Sequence, residues 1–96
     1  MGNNRIDNFH GHSIAINGDR IIVSGNVVTA GGENGIDCRA SHSIIEANIV
    51  SECEGYGYNN AAEFVQLYNN DLSENVLGGI NISLGGSTIS QGNNLV

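Results

Sequence analysis

The chain has 96 residues, with three arginines and no lysine against ten carboxylates, and a net charge of -7. A chain of this length builds one small, marginal core at most, and without a basic face it is not expected to bind nucleic acid or an anionic membrane surface. No apolar run exceeds three residues, which excludes a membrane-spanning helix and the apolar core of a signal peptide.

Asn (15) and Gly (14) fill nearly a third of the positions, Ile (12) outnumbers Leu (5), and Pro is absent. So many β-branched residues argue against disorder, and so many turn formers argue against a helical bundle. The expected class is all-β and dense in turns.

In chain order the apolar residues arrive in short pieces on a fixed period. From 5 to 26 they are Ile14, Ile16 and Val23, closing on Asn26. From 27 to 48 the pattern is Val28, the stretch Gly35-Ile36-Asp37-Cys38, then Ile45 and Asn48. From 49 to 70 it is Val50, Gly57-Tyr58, Leu67 and Asn70, with Asn60 where the other units carry Ile16, Cys38 and Ile82. From 71 to 93 it is Leu72, Gly79-Ile80-Asn81-Ile82 and Ile89, after which Asn93 and Leu95 come one residue late. An extra residue near Ser90 to Asn93 would account for the delay.

Three columns thus repeat every 22 residues: Ile14, Ile36, Tyr58 and Ile80; Val23, Ile45, Leu67 and Ile89; and Asn4, Asn26, Asn48 and Asn70. Short strands separated by turns on such a period predict a right-handed parallel β-helix, one coil per repeat and about four coils in a single domain. The two apolar columns are expected to face the lumen. The Asn column is expected to form a ladder, with each Asn in the left-handed conformation at a sharp corner. A leucine-rich solenoid has an overlapping period, but Ile and Val dominate here and the Gly-Ile-x-Ile stretch is hostile to its second, helical half.

The line Gly-Ile-x-Ile, then x-Ile-x-x-Asn and x-Val, resembles the pectate-lyase-like β-helix repeat family, which includes alginate-modifying enzymes and phage tailspike depolymerases. The resemblance spans Asn4 to Leu95. It implies a polysaccharide as partner, an extracellular or virion-associated setting, and a groove on the outward positions of the first strand of each coil. Those positions are Ala15 and Asn17, Asp37 and Arg39, Asn59 and Ala61, and Asn81 and Ser83. The chain starts and stops at one phase of the repeat with no capping helix in view. It is therefore expected to belong to a longer helix or to form a homo-oligomer.

Asp37 and Arg39 are two apart and so share one face. As catalytic candidates they would serve as acid or cation ligand and as clamp or proton abstractor in elimination on an acidic glycan, supported by Glu46, His42 or Tyr58. Asn17, Asn59, Tyr58 and Asn81 are the substrate-binding candidates. Glycoside hydrolysis needs two carboxylates about one bond, and this face offers Asp37 alone. The expected function is accordingly a scaffold or carbohydrate-binding segment without a complete active site, the alternative being a polysaccharide lyase acting through Asp37 and Arg39.

No cofactor is expected. Glu52 and Glu74, one period apart with Glu54 nearby, would repel unless a Ca2+ bridged them, and a solvated acidic edge is the simpler expectation. His10 and His12 lack a third ligand for a metal site. Cys38 and Cys53 are expected as free thiols, since two cysteines do not make a disulfide framework.

Overall fold

The structure is a computed structural model that describes residues 2, 4–7, 10–85 and 89–95, the side chains of 83–85 and 89 excepted. Among the described residues eleven strands form three parallel sheets; each of the first three coils contributes one strand to each sheet, and the fourth contributes one to each of two. Sheet 1 is β2 (Ile14–Asp19), β5 (Ile36–Ser41), β8 (Tyr56–Ala62) and β10 (Gly78–Gly85). Sheet 2 is β3 (Ile22–Ser24), β6 (Ile44–Glu46), β9 (Gln66–Tyr68) and β11 (Ile89–Gln91). Sheet 3 is β1 (Arg5–Asp7), β4 (Val27–Thr29) and β7 (Ile49–Ser51), extended by single bridges at Asp71 and Asn94. The chain is a β-solenoid of about four turns.

Register follows the repeat. Ile14, Ile36, Tyr58 and Ile80 pair in sequence across sheet 1, Val23, Ile45 and Leu67 across sheet 2, and Ile6, Val28 and Val50 across sheet 3. In a strand, alternate side chains point to opposite faces, so these columns turn inward together. Ile36, Val23, Ile45, Val28, Val50, Leu67, Leu72 and Cys38 are fully enclosed. No coil can bury such residues alone; stacking at about 4.8 Å makes the core continuous. Cys38 and Cys53 are buried free thiols.

Two features of the sequence reading change here. The extra residue of the last coil sits in β10, where Ile82 pairs with Asn60 but Leu84 pairs with Ala61, so the slip precedes the expected place. In consequence Ser90, not Ile89, pairs with Leu67, and Asn93 follows Asn70 by 23. The side chain of Ile89 lies outside the described residues, as does that of Ser83.

The second change concerns corners. The left-handed residue is the one before each ladder Asn: Gly25, Ala47, Asn69 and Gly92, with φ between 53° and 68°. Two more left-handed columns, Arg20, His42 and Phe64, and Ala30, Glu52 and Glu74, bring the number of such corners to three in each of the second and third coils. These corners join strands of different sheets, and the N–H groups of Arg20, Gly25, Ala30, His42, Ala47, Glu52 and Asn69 donate to carbonyls of the next coil, for example Gly25 to Glu46 O and Ala47 to Tyr68 O.

The ladder Asn side chains face inward beside these corners. Asn48 Oδ1 accepts the backbone N–H and the side-chain amide of Asn26, each at 3.0 Å, while Asn48 Nδ2 donates to Asn70 Oδ1 (2.9 Å) and to Val23 O (3.1 Å). Asn4 donates to Asn26 in the same way, and Asn70 donates to Asn93.

The irregular third coil holds its register through Asn60, which stands in the lumen opposite Cys38. Its burial is compensated locally: Tyr58 donates its hydroxyl hydrogen to Asn60 Oδ1 at 2.6 Å, and Asn60 Nδ2 donates to Ala62 O at 2.7 Å. A buried polar group is tolerable only when so paired.

Candidate functional site

The outward face of sheet 1 carries Ala15, Asp37, Asn59 and Asn81 in one register column. These polar side chains bond along the solenoid axis. Asn81 Nδ2 donates to Asn59 Oδ1 at 2.7 Å, Asn59 Nδ2 donates to Asp37 Oδ1 at 2.8 Å, and Arg39 Nε donates to Asp37 Oδ2 at 3.1 Å. Asp37 is thereby 3% exposed despite its outward direction. Burial pushes its pKa up, but the hydrogen bonds from Asn59 and Arg39, with the charge of Arg39, outweigh that and hold it below the ordinary carboxylate value. Asp37 therefore stays ionised near neutrality, where it cannot deliver a proton.

Beside this column, where sheet 3 turns into sheet 1, an open hollow of about 430 Å³ is lined by His12, Glu33, Asn34, Glu54 and Leu77, with Gly32 and Gly55. Close coil contact shapes it: a Cβ on Gly55 would meet Asn34 Oδ1 at 2.4 Å. Asn34 is the central support. Its backbone N–H donates to His12 Nδ1 (3.2 Å), and its Oδ1 accepts the N–H of Tyr56 (2.8 Å). With Nδ1 occupied as an acceptor, the His12 ring proton sits on Nε2, 3.3 Å from Glu33 Oε2.

The expected site residues do not gather at one place. Asp37, Asn59 and Asn81 touch one another, Arg39 touches Asp37, and Asn17 stands exposed at the register position beside Arg39. Tyr58, expected to contact substrate, is corrected by the structure: it is fully enclosed in the lumen, where burial raises its pKa far above the ordinary phenol value. Glu46 belongs to β6 of sheet 2. His42 lies at the corner after β5, bonded through Nδ1 to Asp19 Oδ1 at 2.8 Å and stacked on Phe64 with centroids 5.1 Å apart. Glu52 and Glu74 are exposed neighbours at a corner, joined by the bond from Glu52 N–H to Glu74 O. Among the described residues no group of three or more His, Cys, Asp or Glu side chains converges as a metal site would require.

The geometry accords with one comparison. A family model described as "right handed beta helix region" matches residues 1–96. The chain belongs to the right-handed β-helix family. No curated protein and no solved structure matches this β-helix. Family membership establishes the coil architecture; the chemistry has to be argued from the side chains.

The sequence singles out neither Asn34 beside the hollow nor Asn75, whose Oδ1 accepts the Cys53 N–H (3.0 Å) while its Nδ2 donates to Val50 O (3.0 Å), and it brings up His12 only as an incomplete metal ligand. The available signal was positional. His12, Asn34 and Tyr56 are spaced by 22, yet they share no residue type, so the column does not stand out.

Proposed function

We propose that this β-helix serves as a carbohydrate-binding wall or scaffold segment of a polysaccharide-handling protein, without a complete catalytic set of its own. The observation that carries the reading is the continuous polar column Asp37, Asn59 and Asn81 beside the open hollow. The partly exposed amides of Asn59 and Asn81, spaced by one coil and held from below by Asp37, offer repeated donors and acceptors, which suits a repeating hydroxylated polymer, and the hollow has the size of a small-ligand site. Catalysis is disfavoured on chemical grounds: Asp37 is held ionised, both Nδ1 and Nε2 of His12 face partners, and Tyr58 is enclosed.

Affinity electrophoresis through gels containing single polysaccharides, paired with an assay for reducing ends and unsaturated sugar, tests the reading. Retardation by at least one glycan without products is expected, and Asn59→Ala should weaken it by breaking the column at its centre. Product release that survives purification and disappears in Arg39→Ala would replace this reading with the lyase.

A further inference from the structure

The geometry points to a glycan that bears free amino groups at this surface, not a polyuronate; the inference rests on the carbohydrate-binding reading and names its substrate class. The first observation is the state of the arginines. All three are engaged by an aspartate: Arg5 Nε with Asp7 Oδ2 at 3.1 Å, Arg20 Nε with Asp19 Oδ2 at 3.2 Å, and Arg39 Nε with Asp37 Oδ2 at 3.1 Å. The chain has no lysine, so each side-chain cation it could offer to a uronate carboxylate already faces an anion.

The second observation is what lines the hollow. Glu33 and Glu54 are both exposed there, and neither is matched by an arginine. The one basic group in the lining is His12, whose Nδ1 is committed to the Asn34 N–H and whose Nε2 faces Glu33. A uronate bound here would bring a third carboxylate next to two, with no counter-charge, and like charges at such range repel. A hydroxyl or an ammonium instead donates to these carboxylates, while Leu77 covers the apolar face of the ring. Sugars bearing free amines gain on both counts.

The test compares three oligosaccharides of equal length by titration calorimetry at mildly acidic pH and low salt: a glucosamine oligomer, its fully N-acetylated form, and an oligogalacturonate. Exposed charge pairs contribute modestly, so the glucosamine oligomer is expected to bind about tenfold more tightly than the acetylated one, with the galacturonate weakest. The double variant Glu33→Gln with Glu54→Gln should remove that preference. Glu46→Gln with Glu63→Gln, which deletes the same charge outside the hollow, should retain it. Equal loss in both double variants would show a net-charge effect and overturn the assignment to the hollow. Binding of the acetylated oligomer with no gain for the amine form would overturn the charge inference while leaving the carbohydrate-binding reading standing. Tightest binding by the galacturonate would do the same. Absence of binding by all three would overturn both.

Discussion

Asp37 shows how little a residue's direction says about its environment. It points outward from β5, as its place between Ile36 and Cys38 requires, yet Asn59, Arg39 and the neighbouring coil leave its side chain nearly covered. Because its folded pKa lies below the ordinary value of 3.8, its ionised form stabilises the fold above that value, and the contribution disappears as pH falls through the folded pKa. Asp37→Asn should therefore lower the urea midpoint at neutral pH and cost less at an acid pH below the folded pKa, where the wild-type carboxyl is protonated too. An equal loss at both values would mean that shape, not charge, is what Asn59 and Arg39 read. The corners make a second case at this scale. Ala47 is exposed with φ at 54°, a conformation that costs an L-residue about 1–2 kcal/mol and glycine almost nothing. After the greater freedom of glycine in the unfolded chain is subtracted, Ala47→Gly should stabilise by about 0.5–1 kcal/mol in denaturant titration.

At the scale of elements, the solenoid is held by columns that run across coils as much as by strands. The strands of sheets 2 and 3 are three residues long, too short to be stable in isolation. Their ends are joined by the Asn ladder, in which one side chain serves two coils at once. Asn48→Ala would remove the acceptor shared by the Asn26 N–H and side-chain amide and the side-chain donor to the Val23 carbonyl inside a closed core, while Asn70 Oδ1 keeps the backbone N–H of residue 48. The expected loss is about 2–4 kcal/mol by chemical denaturation, since each orphaned buried group costs its desolvation. A change under about 1 kcal/mol would show that water or rearranged neighbours replace those bonds. The bulge in β10 belongs to this scale also. It absorbs one residue between Ile82 and Leu84 and so lets the fourth coil keep Ser90 and Asn93 in step with Leu67 and Asn70.

Considered whole, the described residues carry their exposed apolar side chains unevenly. In the first full coil Ile14 and Val23 are 2% and 0% exposed, whereas in the last coil Val76, Leu77, Ile82 and Leu95 are 73%, 60%, 46% and 45% exposed. Val76, Leu77 and Ile82 thus present apolar side chains to solvent, a surface that favours association. Weak self-association that rises with concentration is expected by sedimentation velocity, and Val76→Glu with Leu77→Glu should reduce it. A species whose mass stays constant across concentration, in wild type and variant alike, would refute the expectation.

The sequence by itself determined the coil. A period of 22 in Ile, Val and Asn leaves few solutions, because only stacked strands bring residues so spaced into contact, and the class, the period and the lumen column through Ile36 follow from that. What the tertiary structure decided is whatever depends on a neighbour outside the pattern. The left-handed residue precedes the ladder Asn because the Asn side chain must turn inward to reach the next coil, and composition does not reveal that preference. The insertion lies in β10 because a bulge there disturbs one pair and restores the register beyond it, which the late arrival of Asn93 signals without locating. The hollow beside Asp37 is lined by Glu33, Asn34, Glu54 and Leu77 from three successive turns, and their convergence exists only once the coils are stacked.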